Sequence, residues 1–287
     1  MVAIAVIIVN FRSSQETILC LESFERTDSE KLKFFLIDNG SGDGSVEALL
    51  DYLADSPLSV SFHTEAENRG IAAGANIGLR NALGEGFRHL LLLNNDVTVL
   101  PDFTKALQEA CAAHPVAVVA GRILHAQEGL PTANVGRFHP LTWRVRYFPD
   151  LEGEAPIGID FVSGCLMLIP AEVLKRVGFL DERFFMYCED VEFCLRLKRK
   201  DIPIAHFPEL RIWHKVSASV DKSGLAKEYY YFRNQTFISW HLGSWVQKLC
   251  YGTTALLVLI FKVRQPMMFV AFLRAMGDAF QKRMGRR

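Results

Sequence analysis

Apolar and polar positions alternate in blocks along this chain. Short apolar runs occur at Ala3 to Val9, Phe34 to Ile37, Val60 to Phe62, Leu90 to Leu93 and Val116 to Ala120. Between them the residue spacing predicts helices over 15–25, 45–54, 72–83 and 102–113. Apolar strands separated by helices predict a mostly parallel, Rossmann-like α/β sheet covered on both faces, with ligands at the carboxyl ends of its strands. After about residue 121 the alternation gives way to a stretch punctuated by Pro131, Gly136, Pro140, Trp143, Tyr147 and Pro149. A strand near 160–169 and helices over 170–177 and 190–200 follow. Residues 1–121 thus read as a nucleotide-binding half, 122–222 as the acceptor-side half that completes the site, and 223–287 as a helical extension.

Two apolar segments raise the question of a membrane. The first nine residues are apolar but lack a basic leader and a small-residue cleavage site, and they read as a buried strand rather than a signal peptide. Leu249 to Phe261 is a run of 13 residues without charge, ended by Lys262 and Arg264. A spanning helix needs roughly 20 residues, so a peripheral or re-entrant attachment through residues 242–287 is expected rather than a span. A hairpin packed on the core, or on the partner in a homodimer, remains open.

Half of the 287 residues are apolar and 22% are charged, enough for one large core and a short appendage. Formal net charge is zero, which argues against nucleic acid as a partner. The distribution is uneven: from Lys248 onward eight cations face the single acid Asp278, as an anionic surface would require. The six cysteines are scattered and read as reduced thiols. A cytoplasmic protein held peripherally at the inner face of the cell membrane is the expectation.

Candidate chemistry lies at the strand ends. The glycine-rich stretch Asp38-Asn39-Gly40-Ser41-Gly42 follows the second strand, not the first, so it is no dinucleotide fingerprint, and no Gly-Lys-Ser/Thr triplet marks a phosphate loop. Asp38 reads either as a turn carboxylate holding backbone N–H groups or as the acceptor for the imide N–H of a uracil or thymine base. Asp96 closes Leu93-Asn94-Asn95-Asp96 after an apolar strand. It could cap a following helix, or it could hold a hard divalent cation, which takes one or two carboxylates plus substrate phosphates. Glu189 and Asp190 begin a helix whose buried side is Val191, Cys194 and Leu195, either as ordinary dipole partners or at a site mouth. His214, in Trp213-His214-Lys215, becomes a candidate ligand if it pairs with Asp96.

Together these pieces resemble the family-2 glycosyltransferases of the GT-A fold, and within them the bacterial rhamnosyltransferase-like branch. The resemblance rests on Val9-Asn10-Phe11, Ile37 to Ser41, Asn68-Arg69-Gly70 through Asn76-Ile77-Gly78, Leu93 to Asp96, Phe161 to Cys165, Phe179 to Arg196 and Trp213-His214, in that order. It implies that Asp38 binds the donor base and that Asn10, Asn68, Arg69, Gly70, Asn76 and Asn95 line a nucleotide-sugar pocket. It also implies that Asp96 and His214 hold Mg²⁺ or Mn²⁺ on the diphosphate, and that Asp190, with Glu189 beside it, is the catalytic base.

The implied activity is a metal-dependent, inverting hexosyl transfer, first from dTDP-rhamnose, to a glycan or lipid-linked glycan in cell-surface polysaccharide synthesis. UDP-galactose, UDP-glucose and UDP-galactofuranose are the alternative donors. One departure is plain: the family's metal motif often carries two carboxylates, and the first position here is Asn94. A nucleotidyltransferase would show a glycine-rich loop after the first strand, and this chain does not. A non-catalytic assembly subunit of the same fold is the other alternative.

Overall fold

The computed structural model describes residues 3–126, 131–132, 134–148, 158–215, 225–262 and 266–286. The elements are, in chain order, β1 (Ile4–Asn10), α1 (Ser14–Glu25), β2 (Leu32–Asp38), α2 (Ser45–Asp55), β3 (Val60–Thr64), α3 (Ile71–Gly84), β4 (His89–Leu93), β5 (Val97–Val99), α4 (Phe103–Ala113) and β6 (Val118–His125). They continue with β7 (Pro131–Thr132), β8 (Val135–Phe138), β9 (Val145–Tyr147), β10 (Phe161–Val162), β11 (Leu166–Pro170), α5 (Ala171–Val177), α6 (Glu189–Arg199) and β12 (Ile204–His214). The extension holds α7 (Leu225–Phe237), a π-helical turn (Ile238–Leu242), α8 (Trp245–Lys262) and α9 (Pro266–Phe280).

The main sheet runs β3-β2-β1-β4-β11-β6-β12-β5, with β7 paired to β6. Strands β3, β2, β1 and β4 are mutually parallel, as are β6 and β12. Within this mostly parallel sheet, β11 is antiparallel to both β4 and β6, and β5 is antiparallel to β12. The strand expected near 160–169 is two strands, because the chain leaves the small β10-β8-β9 sheet at Val162 and enters the main one at Leu166.

Alternate residues of β1 serve opposite faces, as a doubly covered sheet requires. Ala5, Ile7 and Val9 join Ala72, Ala75 and Leu79 of α3 on one side, while Ile4, Val6 and Ile8 join Leu21, Phe24 and Leu107 on the other. Helix α3 lies close against the sheet because a side chain at Gly78 would stand 2.8 Å from Ile7 and Ile37 atoms. Val116, placed in a strand by its side chain alone, is 70% exposed and precedes β6.

The extension is packed on the rest of the chain. Phe185 shares a buried cluster with Tyr229 and Tyr230 of α7 and Ala275 of α9. The boundary expected at residues 222 and 223 falls outside the described residues. Among the described residues no helix is long and apolar enough to cross a membrane.

Candidate active site

A cleft of about 410 Å³ opens where the carboxyl ends of β1, β4 and β12 meet the N-terminal ends of β11 and α6. Its walls include Asn94, Asn95, Asp96, Ser163, Gly164, Glu189, Asp190 and His214. The antiparallel β11 explains why Ser163 and Gly164 reach this edge: its first residues lie where its neighbours end.

Asp96 caps no helix. It is followed by β5, and that strand pairs with the end of β12, setting His214 opposite Val97. His214 Nε2 thereby comes within 3.1 Å of Asp96 Oδ1 across 118 residues of sequence, with both side chains largely buried. Two cis ligands on a divalent ion with bonds of about 2.1 Å would stand about 3 Å apart, so the pair fits one face of a coordination shell. No group of three or more His, Cys, Asp or Glu side chains able to hold a metal occurs among the described residues. A cation here would therefore take its other ligands from substrate phosphates and water, and an imidazole beside a carboxylate suits Mn²⁺ better than Mg²⁺.

Helix α6, whose first residues line the same cleft, begins after an unusual turn. Tyr187 and Cys188 both have φ of 65°, a left-handed conformation that costs a non-glycine residue roughly 1–2 kcal/mol. The turn aims the next two residues, Glu189 and Asp190, into the cleft. Asp190 Oδ2 accepts a hydrogen bond from Gly164 N at 3.2 Å and Oδ1 accepts one from Val191 N at 2.8 Å. Burial raises its affinity for a proton, and these N–H donors offset part of the rise. Glu189 Oε2 is sealed from solvent without a hydrogen-bond partner among the described residues. Burial, with the Asp190 charge adding to it, pushes that carboxyl up.

The remaining expected residues divide. Asn95 lines the cleft and donates from Nδ2 to Ser13 Oγ at 2.6 Å and to Thr17 Oγ1 at 2.9 Å. Asn10 and Asp38 sit side by side because β1 and β2 pair in register, and both are buried. Asp38 Oδ2 accepts from Asn10 Nδ2 at 2.7 Å and from Ser41 Oγ at 2.5 Å, and Oδ1 accepts from Ser41 N at 2.9 Å. The carboxylate thus holds its own turn, and neither Asp38 nor Asn10 lines the cleft. Asn68 Oδ1 accepts from Gly70 N at 2.9 Å, and exposed Arg69 lies 3.6 Å from both Glu65 and Glu182.

Asn76 is not presented to a ligand. It lies inside α3, fully buried, donating to Leu180 O at 2.8 Å and to Glu182 Oε1 at 3.0 Å while accepting from Leu180 N at 3.1 Å. Its work is to fasten α3 to the segment that leads to α6. Sequence reasoning passed over Asn39, whose Nδ2 donates to Gly70 O at 3.0 Å and joins the two loops, and Gly164, whose N–H meets Asp190. The signal for Asn39 was present in the motif with Asp38, whereas Gly164 required knowing that β11 runs backwards.

Comparison with known proteins gives the family and the fold. The profile described as Glycosyl transferase family 2 matches residues 5–178, and the chain belongs to that family. The Low-salt glycan biosynthesis hexosyltransferase Agl10 of Haloferax volcanii is 26% identical over 263 residues, covering 89% of this chain and 81% of that protein. The N-acetylglucosaminyl-diphospho-decaprenol L-rhamnosyltransferase of Mycobacterium tuberculosis is 25% identical over 236 residues, covering 70% of this chain and 72% of its own length. The dTDP-rhamnosyl transferase RfbF of Shigella flexneri is 26% identical over 181 residues, covering 61% and 57%. Among solved structures, the mannosyltransferase PcManGT of Pyrobaculum calidifontis, in complex with GDP-Man and Mn²⁺, superposes with a TM-score of 0.59 at 16% identity over 97% of this chain and 75% of that one. GalNAc-T7 with UDP, GalNAc and Mn²⁺ gives 0.63 at 14% identity over 83% and 47%. The fold is the GT-A fold of glycosyltransferases.

Proposed function

We propose that this glycosyltransferase moves a hexose, first of all rhamnose from dTDP-rhamnose, onto a lipid-linked glycan acceptor at the inner membrane face, with inversion at the anomeric carbon. The observation that carries the reading is the meeting of two unlike groups in one cleft: the Asp96–His214 pair, and Asp190, whose proton affinity burial raises. Rhamnose ranks first because two of the named relatives are rhamnosyltransferases. A UDP-hexose is the alternative donor.

Asp96 Oδ1 and His214 Nε2 would hold Mn²⁺ or Mg²⁺, which when bound supplies positive charge for the departing diphosphate. Asp190, ionised, takes the proton of the acceptor hydroxyl. The acceptor oxygen forms its bond to the anomeric carbon as the bond to the β-phosphate oxygen breaks, and the nucleoside diphosphate leaves with that electron pair. One displacement from the opposite face inverts the centre. The apolar walls Val9, Leu92, Met167 and Leu180 keep water from competing. On the donor side the resemblance assigns Asp38 to the imide N–H of a thymine or uracil base, which its buried carboxylate reaches only if the Ser41 turn opens.

The membrane side of the reading rests on the extension. Trp245, Leu249, Leu256 and Leu257 of α8 and Met267, Val270 and Leu273 of α9 are exposed. Arg274, Lys282, Arg283 and Arg286 stand exposed along the same segment, and its single acid, Asp278, is buried where Tyr229 donates to it at 2.6 Å. An apolar face with cations and no exposed acid matches an anionic lipid surface.

Calorimetric titration with dTDP-, UDP- and GDP-sugars, each with Mn²⁺ or Mg²⁺ and again with chelator, tests the central claim. Metal-dependent binding of dTDP-rhamnose is the expected outcome. Binding of a UDP-sugar alone moves the donor assignment, and binding of none by folded protein overturns the catalytic reading in favour of an assembly subunit.

A further inference from the structure

Helix α7 carries Arg233, Asn234, Gln235 and Thr236 in succession, and all four are buried. Buried polar side chains in such a row need partners, and the two acceptors that Asn234 donates to lie outside its own helix. Its Nδ2 donates one hydrogen to Met186 O at 2.8 Å and the other to Tyr187 O at 2.7 Å. Its Oδ1 accepts from Arg233 Nε at 3.0 Å, which fixes the direction of the amide. Arg233 is itself held: its Nη1 donates to Gly285 O at 2.6 Å, and its guanidinium lies over the Tyr230 ring, 4.9 Å from the centroid.

The two carbonyls that Asn234 grips lead into the left-handed residues Tyr187 and Cys188, directly before Glu189 and Asp190. One residue earlier, Phe185 O accepts from Ile71 N at 3.0 Å. Three successive carbonyls are therefore held, the first by the nucleotide-side helix α3 and the next two by the C-terminal extension. A strained turn persists only where its surroundings over-determine it, and these bonds are what does so here.

We propose that Asn234 is a positioning residue for transfer: its amide keeps the Tyr187–Cys188 turn wound and so holds Asp190 at the acceptor hydroxyl. This rests on the reading of Asp190 as the base. The donor groups Asp96, His214 and Asn95 belong to other elements and do not depend on the turn. A misplacement of about 1 Å can lower a rate roughly 100-fold, and only the step that uses Asp190 is exposed to it.

Asn234→Ala and Asn234→Asp, the second of which keeps the shape and loses both donors, are compared with Tyr229→Phe. The last removes the hydrogen bond to Asp278 and loosens α7 against α9 without touching the two carbonyls. The expected result is a kcat lowered about 100-fold in both Asn234 variants, with donor affinity within about three-fold of the parent, while Tyr229→Phe at matched thermal stability keeps its kcat. A kcat within about three-fold of the parent in Asn234→Ala, or an equal loss in Tyr229→Phe, overturns the proposal. Should either Asn234 variant fail to fold, Asn234→Ser, with one donor retained, takes its place under the same criteria. Asp190→Asn in the same series separates the two failures: turnover there removes the base assignment, whereas its loss beside a normal Asn234→Ala removes only the positioning role.

Discussion

At the scale of single residues, the neighbouring carboxylates Glu189 and Asp190 have unlike surroundings. Asp190 is bonded by two backbone N–H groups, while Glu189 Oε2 is sealed and has no partner among the described residues. Asp190 is thus the member that can stay ionised, and Asp190→Asn should abolish transfer while leaving donor affinity within a few-fold, measured by turnover and calorimetry in parallel. Because burial raises its proton affinity, the acid limb of the kcat/KM profile should fall above the ordinary carboxylate range, and a limb at about pH 4 would remove the assignment. Glu189 makes a separate claim on stability. Its carboxyl is raised from 4.5 to about 8 on folding, so the folded state holds more protons than the unfolded one between those values. Stability attributable to it should fall as pH rises through that window and level off above it. In chelator and without donor, Glu189→Gln should melt close to the parent at pH 4 and above it at pH 8.5; equal melting at both would show that Glu189 is solvated. Asp96→Ala should remove the metal dependence of donor binding, and an unchanged response to chelator would place the cation elsewhere.

At the scale of elements, the site depends on one glycine that joins two of them. Gly70 has φ of 95°, and a Cβ there would stand 2.5 Å from Phe185 O, so the residue meets both a conformational and a steric demand. Gly70→Ala should destabilise the fold by about 1–3 kcal/mol from backbone strain alone, read as a lowered denaturation midpoint, and an unchanged midpoint would show that residue 70 does not need its left-handed φ. The elements themselves were largely legible in sequence: β1, β2, β4 and α1 to α4 lie within two residues of where apolar spacing puts them. The direction of β11 was not, since an apolar run reads the same whichever way the strand points. That ambiguity hid the contact of Gly164 with Asp190, whereas the helix-cap reading of Asp96 failed because the three-residue strand β5 follows it. Asn76 misled for a different reason: a buried asparagine that fastens two segments and one that meets a ligand look alike in sequence, and only the partners at Leu180 and Glu182 distinguish them.

At the scale of the whole molecule, the extension faces two ways. Its inner side supplies Tyr229, Tyr230, Arg233 and Asn234 to the core around the Tyr187–Cys188 turn, and its outer side presents apolar residues and cations. The sequence made the outer side legible through the charge imbalance after Lys248, because an excess of one sign survives any fold. The inner side was hidden, since Arg233 and Asn234 are polar residues that ordinarily face water, and nothing local marks their partners at Gly285 and Met186. If the outer side meets anionic lipid, each cation near the surface contributes about 1 kcal/mol, and the attraction weakens with salt. The double variant Arg274→Gln/Arg283→Gln should then partition roughly 30-fold less onto vesicles containing anionic lipid at low salt, with donor affinity intact, since neither residue lines the cleft. Unchanged co-sedimentation, together with a concentration-dependent dimer in sedimentation velocity, would assign the apolar face to a second copy of the chain instead.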